Sequence, residues 1–475
     1  MRGPPTATIF VAVPERPAVP FPADFLWGAA TASYQIEGAA AEGGRGPSVW
    51  DDFSHTPGKV ANGHTGDVAC DHYHRVEDDV KMMAEMGLQA YRFSISWSRV
   101  LPEGRGRVND EGIAFYSKLV DLLLDHGITP NATLFHWDLP SGLEAIDGFR
   151  NRDTASYFAD YAALMVDALG DRVKMWATFN EPWCHAYLGH AAGVHAPGMR
   201  DPKAAVTVAH HEQLAHGLGV QAMRAERSDL QLGTVINPSN VRREGSPDAD
   251  EDEMRTIDGI HNRWWFDPIL KGEYPADLLD DLGPLADAIR PGDTAEIHQP
   301  LDWIGINYYY DILVRGVRAD ESSVNRMLAY PTVQNTTESD RRPVHTDMGW
   351  PITPEGFTNL LVRLHTDYDN LPPLYITENG CAYDDPIVDG RIADRRRIEY
   401  LDLHLRAVRD AIDQGVDVRG YFEWSLMDNF EWALGYDKRF GLVHIDFDTL
   451  ERTPRDSAAW YRDVIKANEV PAVEG

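Results

Sequence analysis

The sequence predicts an α/β fold, a single (β/α)8 TIM barrel with loop insertions. Eight short runs rich in β-branched and aromatic residues recur at 25–31, 90–96, 130–135, 174–180, 232–237, 303–308, 374–377 and 420–426. Amphipathic stretches lie between them. The runs are near-continuously apolar instead of alternating, as strands buried on both faces of a parallel sheet are. Eight such units suit a closed barrel, for which chains run from about 200 to more than 400 residues. Counting alone leaves an open doubly wound sheet standing.

In chain order, the first strand ends in small residues, Gly28-Ala29-Ala30-Thr31, and the pattern then turns helical over 75–86, where Gly87 supplies a stop. After the second strand comes a helical stretch over 110–126, closed by Gly127, and after the third one over 154–169, closed by Gly170. The fourth, fifth, sixth and seventh strands follow. A long helix over 395–414, closed by Gly415, leads into the eighth. Glycine at each of these ends is expected for a helix C-cap. The polar stretches 242–253 and 316–342 read as irregular loop insertions, because the strand–helix rhythm resumes after each. One catalytic barrel is therefore expected over 21–470, preceded by a disordered leader over 1–20. The apolar run in that leader is short, flanked by prolines and followed by no small-residue cleavage site, unlike a signal peptide.

Forty-four basic against 75 acidic residues give a net charge of −31. A phosphate-backbone binder needs a basic face, so nucleic acid is not an expected partner. An anionic membrane surface is disfavoured for the same reason, and no run of about 18 apolar residues could span a bilayer. A neutral or cationic small molecule is the expected partner; the oligomeric state is left open. Cys70, Cys184 and Cys381 form no C-x-x-C pair and no disulfide framework, which fits a reducing, cytoplasmic location. Thirteen Trp and 19 Tyr suit either a large aromatic core or a carbohydrate site, where indole faces stack on sugar rings.

Functional groups of such barrels sit at the C-terminal ends of the strands. Those ends carry Gln35, Arg92, Trp97, His136, Trp137, Asn180, Glu181, Asn307, Tyr309, Glu378, Asn379 and Trp424, with Glu431 and Trp432 beyond. Glu181 and Glu378 end the fourth and seventh strands. Two carboxyls facing each other across a pocket are what glycoside hydrolysis requires: one protonated to serve the leaving oxygen, the other ionised to attack the anomeric carbon. Arg92 is placed to keep the attacker ionised.

Four motifs in order resemble those of family 1 glycoside hydrolases, the β-glucosidase family. They are residues 25–38 (FLWGAATASYQIEG), Thr178 to Pro182 (TFNEP), Ile376 to Gly380 (ITENG) and Trp424 to Trp432 (WSLMDNFEW). The resemblance runs from about Phe21 to Ile465. It implies a retaining double displacement with Glu378 as nucleophile and Glu181 as general acid, then base. The two carboxyls should stand about 5–5.5 Å apart. Asn180 would bond the sugar 2-hydroxyl, Tyr309 would orient Glu378, and Asn307 would lie close to Asn180 and Glu181. Gln35, His136, Trp137, Glu431 and Trp432 would hold the remaining hydroxyls over a floor made by Trp424. Trp183, Trp350, Phe440, His185 and Leu188 would complete the substrate site, mostly on the leaving-group side. No cofactor and no metal are implied.

Glu431 would repel a sugar 6-phosphate, whose charge is about −2, so a phospho-β-glycosidase is the weaker alternative. Transglycosylation on the same scaffold and a non-catalytic sugar-binding barrel are the others. Loss of either glutamate would mark the last, and both are present. The sequence has no phosphate-binding G-x-x-x-x-G-K-[ST] motif for a nucleotide-dependent enzyme. Two positions depart from the family pattern. Cys381 follows the nucleophile motif, and Glu423 precedes Trp424, on the opposite face of its strand. Three tempting motifs are declined: the Cys70–His74 run as a metal cluster, the pair His211 and His216 as a zinc helix, and the sequon at Asn131 inside a strand.

Overall fold

The computed structural model describes residues 15–244, 249–318, 327–339 and 344–473. Eight parallel strands close into a barrel: β1 Leu26–Ala30, β2 Ala90–Ser94, β3 Thr129–Phe135, β4 Met175–Asn180, β5 Gln231–Ile236, β6 Trp303–Asn307, β7 Leu374–Asn379 and β8 Val418–Trp424. They pair in sequence order, and β8 closes on β1 with Gly420 opposite Leu26 and Trp424 opposite Ala30. All eight sequence runs coincide with these strands, which decides for a closed barrel over an open sheet. Burial on both faces is why the runs carry no polar alternation.

Helices α1 His72–Glu85, α2 Asp110–Asp125, α3 Thr154–Leu169, α4 Pro202–Glu226, α5 Pro354–Asp367, α6 Arg395–Asp413 and α7 Asp456–Ala467 belong to the outer layer. Gly87, Gly127 and Gly415 take φ of 72°, 72° and 97°, the left-handed conformation expected at a helix end. Gly170 differs: its φ is −69°. A Cβ there would meet the Val166 carbonyl at 2.5 Å and Arg227 at 2.8 Å, so close approach, not handedness, calls for glycine. Met175, Ala177, Val235 and Trp303, on the neighbouring strands β4, β5 and β6, pack as one apolar cluster.

Two expectations need correction. The stretches taken as irregular insertions contain ordered elements. Val241–Arg243, Ile312–Gly316 and Thr336–Glu338 form a three-stranded sheet, and a helix spans Glu251–Asp258. The strands are too short for a period-two signal to show. Residues 245–248, 319–326 and 340–342 of these stretches lie outside the described residues. Of the expected leader, residues 1–14 also lie outside them. Val19 and Pro20 pair with Val470 and Glu469, and Arg16 bridges Val473. Arg406 and Arg409 on α6 donate to the carbonyls of Pro17 and Pro20.

Candidate active site

The C-terminal ends of the strands open into a cavity of about 650 Å³ lined by His136, Trp137, Glu181, Trp183, Asn307, Tyr309, Trp350, Glu378, Trp424, Glu431, Trp432 and Phe440, among others. Gln35, Arg92 and Asn180 bond to or beside these lining residues, whereas Trp97, Asn379 and His185 do not line the cavity. Glu378, at the end of β7, accepts from Arg92 Nη1 on Oε1 at 2.7 Å and from the Tyr309 hydroxyl on Oε2 at 2.8 Å. Arg92 Nη2 donates to Asn180 Oδ1 at 2.6 Å, and its Nε to Thr133 Oγ1 at 3.2 Å. Asn307 Nδ2 donates to Asn180 Oδ1 at 3.0 Å and to Glu181 Oε1 at 2.7 Å.

The two glutamates have different surroundings. Burial, and next the charge of Glu378, push the Glu181 carboxyl up to about 8. Only an amide and a thiol stand against this, with Arg92 further off. Burial raises Glu378 too, but it is opposed by Arg92 in direct contact and by the Tyr309 hydroxyl. Of the pair, Glu181 is thus the one that keeps its proton. Glu181 also has φ of 42°, in the left-handed region. Trp137 (φ 73°) and Trp432 (φ 48°) do as well, so the rim holds three strained residues.

Several polar side-chain atoms in and around the cavity are left without a partner. Asn180 Oδ1 must face Arg92, which can only donate, so its Nδ2 faces His136 Nε2 at 3.0 Å. That nitrogen is then an acceptor, and the proton of His136 sits on Nδ1, which is buried without a partner. Burial holds the ring neutral, its pKa well below the usual range. Gln35 gives both N–H bonds of Nε2 away, to Asn429 Oδ1 and the Phe430 carbonyl, and its Oε1 is left buried and unpartnered. Glu431 Oε2 is likewise unpartnered. One donor and two acceptors therefore lie ready for hydroxyl groups. Trp424 lies 5.9 Å from the His136 ring, near-parallel to it, and Trp432 packs on Trp137 at 4.6 Å.

Several expected roles change. The indole N–H of Trp137 donates to the Asn180 carbonyl at 2.8 Å, so Trp137 is wall and not a hydroxyl donor. His185 turns away from the cavity: it is buried on Glu212 at 2.5 Å and packs on Phe135. Trp97 is core, stacked on Tyr161 at 4.8 Å. Asn379 is spent on Tyr308, Tyr400 and Tyr421. Trp350 stands beside Tyr309 and Phe440, at 5.2 and 5.9 Å, and Trp183 beside His261 and Tyr330. Asn429, which fixes Gln35, and Cys184, which bonds Glu181, were not singled out as site residues from the sequence.

The declined motifs are structural. His72 bonds Asp79, and His74 bonds Asp71 and Glu42. His211 bonds the Phe149 carbonyl and His216 bonds Thr178. Among the described residues no group of three or more His, Cys, Asp or Glu is placed to hold a metal. Cys381 is buried, and burial pushes its thiol far up.

Residues 18–470 match the family described as Glycosyl hydrolase family 1. The chain belongs to this family. Beta-glucosidase A of Acetivibrio thermocellus is 45% identical over 454 residues, which cover 95% of this chain and 99% of that protein. A bifunctional beta-D-glucosidase/beta-D-fucosidase of Bifidobacterium breve is 46% identical, covering 94% and 98%. The crystal structure of the psychrophilic beta-glucosidase BglU from Micrococcus antarcticus superposes with a TM-score of 0.90 at 47% identity, over 94% of this chain and 98% of that one. The fold is thus that of the family 1 barrels.

Glu423 precedes Trp424 on β8. It is fully buried on the face opposite Trp424, and neither carboxylate oxygen has a partner. Burial raises its pKa well above the usual range, although Arg397 opposes this. Folding therefore favours the protonated form. That contribution is complete below the unfolded pKa of about 4.3 and is lost as pH rises through the folded value. Glu423→Gln, which stays neutral, is expected to melt a few degrees above the parent at pH 8. The difference should shrink toward pH 4, as read by thermal unfolding across pH.

Proposed function

We propose that this protein is a retaining β-glycosidase that hydrolyses terminal β-D-glucosyl residues from β-glucosides, cellobiose and short cello-oligosaccharides. The observation that carries this reading is the unequal pair: Glu378 gripped by Arg92 and Tyr309, and Glu181 kept protonated at neutral pH. The Glu378 carboxylate attacks the anomeric carbon as the glycosidic C–O bond breaks, and Glu181 gives its proton to the leaving oxygen. Water then enters. Glu181, now a carboxylate, takes a proton from it while its oxygen attacks the anomeric carbon and Glu378 leaves. Asn307 lies against both carboxyls and holds them in one frame. Asn180 faces the 2-hydroxyl. The Nδ1–H of His136, the Oε1 of Gln35 and the free oxygen of Glu431 take the others, above Trp424. Trp183, Trp350 and Phe440 line the side from which the leaving group departs.

Glu431 is ringed by two other carboxyls, and burial with their charges pushes it up to about 8. Sugar hydroxyls that donate to it favour its ionised form, and a 6-phosphate would meet three acids. Glu431→Ala is expected to lower kcat/KM on glucosides by about 10²–10³-fold, as loss of charged hydrogen bonds to substrate does. Relatives named for glucosidase and fucosidase activity support a glycone site open to both sugars. Three free, buried thiols suit a reducing compartment, and we place the protein in the cytoplasm. The reading is tested by rates on the 4-nitrophenyl β-D-glucoside, galactoside, fucoside and 6-phosphoglucoside. The expected result is turnover of the glucoside and none of the phosphosugar. The basic limb of kcat/KM should fall near pH 8, where Glu181 loses its proton. Turnover of the phosphosugar alone would contradict the role given to Glu431.

A further inference from the structure

Each oxygen of Glu181 has one side-chain donor, and the two donors differ in kind. Asn307 Nδ2 reaches Oε1 at 2.7 Å. Its orientation is fixed, because Thr377 Oγ1 donates to Asn307 Oδ1 at 2.7 Å. An amide N–H can only donate, so Oε1 always receives a hydrogen bond and is the poorer seat for a proton. The proton that Glu181 gives up therefore sits on Oε2. The neighbour of Oε2 is the thiol of Cys184, at 3.1 Å.

Local backbone geometry puts that thiol there. Pro182 follows Glu181, and the Cys184 N–H closes on the Glu181 carbonyl at 2.9 Å. A nine-residue π-helical segment, Cys184–Ala192, begins at this turn. Such wide turns are frequent at functional sites. This one folds a residue three positions on back over the carboxylate. Cys184 is buried and lines the cavity beside Asn237, the residue that follows β5. Asn237 Nδ2 approaches Cys184 Sγ at 3.6 Å, so the sulfur accepts on one side and donates on the other. Burial and then the charge of Glu181 push the thiol well up, which keeps it as S–H.

We propose that Cys184 is a positioning residue for the reaction: its thiol, held by Asn237, donates to Oε2 when Glu181 is a carboxylate and turns to accept from Oε2 when Glu181 is an acid. Both halves of the double displacement then find the same oxygen in the same place. A thiol suits this because it is a weak donor and a weak acceptor, so neither protonation state is trapped. A hydroxyl would hold the carboxylate form more firmly. An alkyl side chain would leave that form without a donor. No bond to sulfur is made or broken.

The inference rests on Glu181 being the acid/base. The charged and titratable groups around Glu181 and Cys184 are Glu378 on β7, Arg92 on β2, Glu431 after β8, Tyr309 and Tyr310 after β6, Tyr330 in the insertion that follows, and Glu212 on α4. All remain in the variants, so a change confined to one limb of the pH profile reports the thiol.

The test is the pH dependence of kcat/KM for Cys184→Ser and Cys184→Ala on cellobiose, whose poor leaving group needs the acid. The basic limb should move down in the serine variant and up in the alanine variant, each by about half a unit to one unit, with the acidic limb unmoved. Circular dichroism and thermal unfolding, matched to the parent, report that the variants are folded. Basic limbs that stay put, or that move the same way in both variants, would overturn the role of Cys184 while leaving the glycosidase reading intact. A parent protein that turns over no β-glucoside would overturn that reading, and the Cys184 role with it.

Discussion

Replacement of Glu378 by alanine is expected to remove turnover of every β-glucoside, with kcat lowered by on the order of 10⁴–10⁶-fold, as loss of a nucleophile does elsewhere. The structure gives the reason. Arg92 spends one guanidinium nitrogen on Glu378 and the other on Asn180, and Tyr309 gives its only proton to the second oxygen of Glu378. Of the two glutamates, only Glu378 is bonded directly by Arg92 and Tyr309. Without it the anomeric carbon has no attacking group, and the Arg92 charge is left buried and unpaired. Rates with 4-nitrophenyl β-D-glucoside check this, with the fold verified by circular dichroism. Activity in Glu378→Ala within tenfold of the parent would contradict the assignment.

Replacement of Glu181 by alanine is expected to act differently on different substrates. With cellobiose, the leaving alkoxide needs a proton, and kcat/KM should fall by about 10²–10⁴-fold. With 2,4-dinitrophenyl β-D-glucoside, the first step proceeds unaided and the glycosyl-enzyme accumulates, because no base activates water. Azide is a small anionic nucleophile that needs no base. It should restore turnover in this variant and release β-glucosyl azide. No azide effect, together with full activity on cellobiose, would contradict the acid/base role. The contrast between substrates separates lost acid catalysis from general damage to the site.

Much of this architecture was legible in the sequence because it rests on local rules. Strands buried on both faces must be apolar throughout, and eight such runs announced the barrel. The glutamates were legible because they end two strands inside recognisable motifs. What was hidden depends on tertiary contacts. The small sheet over the mouth is made of strands of three to five residues, too short for periodicity. The Trp137 indole was expected to face the sugar, yet the nearest acceptor is the Asn180 carbonyl on the neighbouring strand, and it takes the bond. His185 was expected at the leaving-group side, but the π-helical segment rotates it onto Glu212. The same segment brings Cys184 onto Glu181. The three-residue spacing is visible in the sequence, but the thiol was grouped there with two others that share only burial. Glu423 was correctly placed on the far face of β8, yet its want of any partner is a property of the packed core.

Anomer-resolved NMR of the reaction with 4-nitrophenyl β-D-glucoside tests the central claim most directly, that the two glutamates act as nucleophile and acid/base across one glycosidic bond. Two inversions at the anomeric carbon predict β-glucose as the first product, with the α-anomer appearing only at the rate of mutarotation. α-Glucose as the first product would mean a single displacement by water and would contradict the role of Glu378 as nucleophile.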